Sequence, residues 1–221
     1  MKAVAKKVVR KPEPRKRAPA EPDVRRRILR ASRVLIEREG LSALSMREVA
    51  RRAGVSHQAP YNHFEDRAAI LGALAEEGFL ILRDKLIVIL QSSEDTSERI
   101  RAGLRGYVEF AVQYPAHFRL MFRPELVDLD DCPGAKEAGD NVFTMFTDVV
   151  KELVKRGVPA EPSIDALIAL CWSVCHGLAC LILDGPLTRK LPGAEHEAIV
   201  EGVTGAFSAM LQARMKTPSR K

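Results

Sequence analysis

Two helix starts stand close together near the N-terminus, at Ser45 and Ser56, with Gly54 between them. Ser45-Met46-Arg47-Glu48 is a capping box, in which the serine oxygen accepts from the Glu48 N–H while Glu48 reaches back. Met46, Val49, Ala50 and Ala53 then mark the inner face of a short helix. Gly54-Val55 makes the turn, because glycine accepts the positive φ that a sharp exit needs. Ser56 caps a further short helix through His63, which Phe64 closes as a core plug. Two short helices joined by a glycine-containing turn form a helix-turn-helix.

The flanking segments read as helices too. Asp23 can cap a helix carrying Val24, Ile28, Ala31 and Leu35 on one face and ending at Gly40. Asp66 can start another, with Ile70, Leu71, Leu74 and Gly78 on one side, running to about Leu90. A helix over roughly Thr96–Tyr114 turns Ile100, Leu104, Tyr107, Val108 and Ala111 inward. Pro115 breaks it and starts a short helix through Phe122. Residues 123–133 read as a loop, followed by helices at about 135–156, 162–184 and 194–214. Gly157, Pro159, Gly185-Pro186 and Pro192-Gly193 punctuate them. No segment sustains a period-2 alternation, so the fold is all-α: a three-helix helix-turn-helix unit followed by an antiparallel helical domain. The expected boundaries are a disordered arm over 1–22, the helix-turn-helix unit over 23–67 with its motif at about 44–63, a helical domain over 68–214 and a tail over 215–221.

Charge separates these parts. The chain of 221 residues carries a formal +6 at pH 7, divided as +6 over 1–22, +4 over 23–67 and −4 over the remainder. Basic character therefore belongs to the first third, which suits a polyanionic partner there and not elsewhere. The arm, rich in lysine, arginine and proline, can add non-specific attraction to phosphates or be a solvated tail. The N-terminus carries no apolar signal region, which predicts a cytoplasmic protein. Cys132, Cys171, Cys175 and Cys180 lack C-x-x-C spacing and read as small hydrophobes in a reducing compartment, with a redox or metal role as the alternative. Ala166–Leu183 contains no charge and reaches the short edge of a membrane span. His176, Gly177 and Ser173 inside it, and Asp165 and Asp184 flanking it, favour a soluble helix buried on all sides, with no membrane contact.

The reader's first turns present His57, Gln58 and Asn62 to a major groove that admits one α-helix. Gln and Asn can bond adenine bidentately, and a donating His can bond guanine acceptors. Tyr61 and His63 suit phosphates, and the Ser45 and Ser56 caps turn free backbone N–H groups toward them. Arg47, Arg51, Arg52 and Arg67 surround the reader with positive charge. Pro60 removes a backbone donor and crowds the Ser56 carbonyl, so the first turn is expected to be distorted.

The string Ala53-Gly54-Val55-Ser56-His57-Gln58-Ala59-Pro60-Tyr61-Asn62-His63-Phe64, continued by Asp66-Arg67, resembles the recognition segment of the TetR family of bacterial regulators. Over about residues 23–80 the helix order and loop lengths are similar as well. The resemblance implies a homodimer that binds double-stranded, palindromic operator DNA and a C-terminal domain that holds a small-molecule effector and the dimer interface. Family members usually repress and release DNA when ligand binds. By matching position, Tyr61 and His63 would touch phosphates, Arg67 would stand where the family has a phosphate-binding lysine, and His57, Gln58 and Asn62 would read bases. Ala59 departs from a slot that often carries a hydroxyl. Trp172-Ser173-Val174-Cys175-His176-Gly177, with Pro115–Phe122, resembles a narrower subfamily named for a Trp-His-Gly signature.

Phe110, Tyr114, Phe118, Phe122, Phe143, Phe146, Trp172 and His176 are the candidate lining of an apolar effector pocket, with plain core as the alternative. The helix at 162–184 is apolar nearly all round and needs a second surface to bury. Pairing it and 194–214 with their copies gives a four-helix dimer interface. Catalytic motifs such as H-E-x-x-H, G-x-S-x-G or a glycine-rich phosphate loop are missing from the sequence, so no catalytic residue, metal site or cofactor is expected. The rival readings are a transcriptional activator and a membrane-associated or structural helical protein.

Overall fold

Helix caps and breakers set where each element stops. The computed structural model describes residues 21–215, and among them all regular structure is helical. The arm expected over 1–22 therefore lies outside the described residues except for its last two, as does the tail beyond Met215. Helix α1 spans Glu21–Glu39. It starts two residues before the expected cap at Asp23, and Pro22 sits in its first turn, where no intrahelical N–H is needed. Gly40, at a φ of 82°, ends it and leads into a 3-10 turn, Leu41–Ala43.

Helix α2, Met46–Ala53, has the expected Ser45 cap, whose Oγ accepts from the Glu48 N–H. Only half of the capping box forms, because the Glu48 carboxylate bonds Arg51 and Arg52 instead. Gly54 ends the helix in the left-handed region, at a φ of 63°. The next element corrects the sequence reading. In place of a helix capped by Ser56 and running through His63, a 3-10 turn covers Ala59–Asn62, preceded by Gln58 without a side-chain cap. Pro60 is the reason. It has no N–H for the Ser56 carbonyl, which takes the Ala59 N–H three residues on at 3.0 Å instead. The same short spacing continues from Tyr61 to Gln58 at 3.2 Å and from His63 to Pro60 at 3.1 Å.

Helix α3, Arg67–Gln91, starts on the Asp66 cap, which accepts from Ala69 N–H. At ~1.5 Å per residue it is a rod of roughly 37 Å. Then come α4 (Thr96–Gln113), α5 (Pro115–Met121), α6 (Pro133–Lys155), α7 (Ile164–Leu183), α8 (Pro186–Lys190) and α9 (His196–Met215). The five-residue α8 was not expected, and α6 begins two residues early because Pro133 occupies its first turn.

Packing radiates from α3, which contacts α4, α5 and α6, while α4 also packs on α7 and α9. Helix α1 touches α2, α3 and α5, so the small N-terminal unit leans on the larger domain through α5 as well as through α3. A single buried cluster extends from Ile28 to Leu211. Close approach of α3 and α5 depends on Gly78, where a Cβ would stand 2.6 Å from the Met121 sulfur. Helix α7 is long and apolar enough to cross a membrane by length and composition. One of its faces, Leu167, Cys171, Cys175, Leu178 and Ile182, is buried in the core.

Candidate nucleic-acid interface and apolar cavity

The reader is a short turn fastened from behind. Pro60 and Phe64, four residues apart, point into the core, and Ala59 and His63 are half-buried. Ser56, His57, Gln58, Tyr61 and Asn62 are left on the outside, with Tyr61 45% exposed. Ser45 and Arg47 are exposed at the start of α2 and Arg67 at the start of α3. All nine residues expected to face DNA thus lie at or near the surface of one unit. His57 and Tyr61 rings are 6.3 Å apart.

Two arginines that the sequence reading treated only as charge position this turn. The Arg27 guanidinium donates to the Ala53 carbonyl at 2.5 Å and to the Gly54 carbonyl at 2.9 Å, tying α1 to the helix-turn corner. Arg25 lies over the Phe64 ring, 5.3 Å from its centroid. Their partners are distant in sequence, so no local signal could have identified them. Gly54 is doubly constrained, since a Cβ there would also come within 3.1 Å of the Arg27 Nη2. Arg67 donates to the Leu41 carbonyl at 2.8 Å, which fixes the start of α3 to the loop before α2.

Ion pairing divides the remaining cations. Arg51 and Arg52 share Glu48, whose carboxyl their guanidinium hydrogen bonds hold down at about 2. Arg52 also meets Glu39. Arg47 has no carboxylate within ion-pair distance among the described residues, so its charge is uncompensated at the exposed end of α2.

A second site lies inside the helical domain. A cavity of about 270 Å³, partly open to solvent, is lined by α3, α4, α6 and α7 and by Met121 of α5, with Phe79, Leu104, Tyr107, Phe146, Val149 and Cys171 among its walls. Of the eight residues expected to line a pocket, Phe122, Phe143, Phe146 and Trp172 face it. Phe110 and Tyr114 do not line it and pack on each other at 5.4 Å. Phe118 and His176 line a separate cleft of about 50 Å³ with Arg119, Arg123 and Asp184.

Behind the cavity wall, Tyr107 Oη and His176 Nδ1 are 2.9 Å apart, and Trp172 Nε1–H donates to the Tyr107 oxygen at 3.4 Å. Burial lowers the His176 pKa from 6.5 and pushes Tyr107 well above 10, so a neutral imidazole accepts from the tyrosine. Burial also holds the cavity thiols protonated, raising Cys171 to about 11 and Cys175 to about 12. No group of three His, Cys, Asp or Glu residues suited to a metal ion occurs among the described residues.

Residues 28–74 match the family described as bacterial regulatory proteins, tetR family, and residues 100–207 match the tetracyclin repressor-like C-terminal domain. The HTH-type transcriptional activator FasR of Mycolicibacterium smegmatis is 26% identical over 157 residues, covering 71% of this chain and 67% of FasR. The nucleoid occlusion factor SlmA of Aliivibrio fischeri is 31% identical over 154 residues, covering 68% of this chain and 79% of SlmA. With the SlmA of Vibrio vulnificus the match, 35% identical, spans 44% of this chain and half of that protein. A solved structure of a protein of unknown function from Rhodococcus sp. RHA1 superposes with a TM-score of 0.72 at 28% identity, covering 90% of this chain and 98% of that one. With its helix-turn-helix, its all-helical C-terminal domain and these matches, the chain belongs to the TetR family of bacterial transcriptional regulators.

Proposed function

We propose that this regulator binds a palindromic operator as a homodimer in the cytoplasm and acts as a ligand-responsive repressor, without catalytic activity. The observation that carries the DNA reading is the exposed polar run Ser56–Gln58 and Tyr61–Asn62, held outward by the buried Pro60 and Phe64. His57, Gln58 and Asn62 read base edges. Ser45, Arg47, Ser56, Tyr61, His63 and Arg67 contact phosphates and set the register.

The homodimer reading rests on apolar residues left in the open on two helices. Leu170 and Leu181 of α7 are 39% and 45% exposed, and Val203 and Met210 of α9 are 37% and 43% exposed. A second copy covers these faces in a four-helix interface and sets two readers one helical turn of DNA apart, roughly 34–36 Å. The 270 Å³ cavity is the effector site. Helix α3 carries Phe79, Leu86 and Leu90 on its wall and Arg67 at the reader, so a ligand that prefers one position of this rod changes reader spacing by its differential affinity.

Activation is the second reading, favoured by FasR, whose name describes an activator. A reporter placed behind the bound site separates the two, since deletion of the regulator raises expression if it represses and lowers it if it activates. The dimer and the reader are tested together by sedimentation equilibrium. The chain is expected at twice its own mass, shifting to one chain in Leu170→Glu with Met210→Glu, with DNA binding lost in the same variant. A wild-type chain that sediments and binds DNA as a monomer would overturn the reading.

A further inference from the structure

Resting on the reading of the cavity as the effector site, we infer that its ligand is a single-chain amphiphile with a carboxylate head, the head held by Arg99 and the tail lying along α6. Shape is the first observation. The wall contributed by α6 runs from Lys136 to Leu153, which at ~1.5 Å per residue is about 25 Å of helix. The α4 wall is one face, Arg99, Ile100, Gly103, Leu104 and Tyr107. The cavity, of about 270 Å³, follows that stretch of α6, and its lining is apolar apart from a few side chains. An apolar cavity drawn out along a helix in this way suits an alkyl chain lying beside α6.

The placing of charge on this apolar wall is the second observation. Charged side chains on it are Arg99, Lys136 and Asp140. Lys136 is bonded to Asp130 at 3.0 Å and stands one turn from Asp140, so that end is compensated. The Tyr107 hydroxyl is committed to His176 and Trp172. Arg99 differs from all of these. One of its N–H groups donates to Thr96 Oγ1 at 3.0 Å, and no carboxylate lies within ion-pair distance among the described residues. Glu152, near enough to feel its charge, is bonded to Arg156 at 2.9 Å. Arg99 therefore stands at the α6 C-terminal end of the cavity with guanidinium donors to spare, and a carboxylate accepts from them in the fork geometry that arginine favours. The tail then passes Leu104, Val149 and Phe146 toward Phe143 and Trp172, whose rings meet at 5.9 Å.

Gly103 adds a third observation, because a Cβ built there meets no atom within 4 Å. The wall is open at that position, and a larger side chain enters the cavity without displacing its neighbours' backbone.

Trp172 is the only tryptophan in the chain, so its fluorescence reports on the cavity directly. Wild-type protein is titrated with decanoate, 1-decanol and decylamine, and binding of the same preparations to DNA is followed separately by anisotropy. Decanoate is expected to give a saturable change with an affinity about tenfold above decanol, as a charge-assisted hydrogen bond confers, and decylamine to bind weakest. Arg99→Gln brings decanoate down to the level of decanol and leaves decanol unchanged, and Arg99→Lys restores part of the preference. Gly103→Leu, which also suits a helix better than glycine, abolishes the response to both. Equal affinity for decanoate and decanol in the wild type, a preference that survives Arg99→Gln, or undiminished binding in Gly103→Leu would each overturn the inference. Failure of every chain to bind while DNA binding is intact sinks this inference alone. Decanoate binding without DNA binding sinks the regulator reading and leaves the ligand class standing.

Discussion

In the DNA-binding unit the polar side chains stand outside a short turn, whereas in the helical domain an apolar cavity lies between the helices. Side chains of α1 fasten the turn and the corner before it, Arg27 on the Ala53 and Gly54 carbonyls and Arg25 on Phe64, while Arg67 ties the start of α3 to the Leu41 carbonyl. The cavity is held by long helices and by aromatic contacts such as Phe122 with Trp172, and its one polar chain, Trp172 to Tyr107 to His176, is turned to internal use. A reader must offer unsatisfied donors and acceptors to water until DNA replaces it. A receptor for an apolar molecule must instead satisfy its own polar groups first, so that only the intended one remains free. The contrast shows how one all-helical chain carries a polyanion site and an apolar site without either interfering with the other.

Removing the plug is the largest expected effect. Phe64→Ala costs about 3–5 kcal/mol, as a large buried aromatic does, and frees the turn, so DNA binding disappears. Urea unfolding followed by Trp172 fluorescence measures it, and decanoate should still perturb Trp172 in the folded fraction. Loss of DNA binding and of the decanoate response together, with no loss of stability, would show that the two regions are a single site. Gly54→Ala is milder, about 1 kcal/mol for the left-handed φ with a further cost for displacing Arg27, and it is read as a shift in the urea midpoint.

Smaller effects sharpen the electrostatic side. Arg47→Ala should lower affinity for every duplex alike and reduce the slope of log affinity against log salt by about 0.9, the value for one phosphate contact. An unchanged slope would place Arg47 off the DNA. The smallest effect concerns His176, whose pKa is lowered by burial from 6.5. Its unfolded form takes up protons more readily, so its contribution is intact above about pH 6.5 and falls away as pH drops below that value. Thermal melts of wild type should therefore decline from pH 7 to pH 5.5 more steeply than those of His176→Gln, which retains an acceptor for Tyr107. Parallel declines would refute the neutral imidazole.

Much of the fold was legible because helix ends are written locally. Ser45, Asp66 and Gly40 act within three or four residues of themselves, and each sits at the boundary its chemistry specifies. Pro60 marked a distortion in advance, but not that the i→i+3 bonding would continue through Tyr61 and His63 and replace the α-helix by a 3-10 turn. Glu48 shows the same limit: its capping-box partner lost to Arg51 and Arg52, one of which also reaches Glu39 from another helix. In the helical domain the aromatic residues were identified but not sorted. Phe110 and Phe122 are equally apolar, and only the packing of α4 and α5 on their neighbours decides that Phe122 faces the cavity. Arg99 went unnoticed because an arginine beside a helix start reads as surface charge until α6 is placed against it.

The central claim is that the exposed turn reads sequence as half of a symmetric pair, and selection of bound DNA from a random duplex library at physiological salt tests it most directly. The account predicts an enriched inverted repeat, with half-sites about one helical turn or slightly more apart, whose base preference changes in Gln58→Ala and not in Arg47→Ala. Binding without any enriched sequence, or an enriched site without two-fold symmetry, would contradict it.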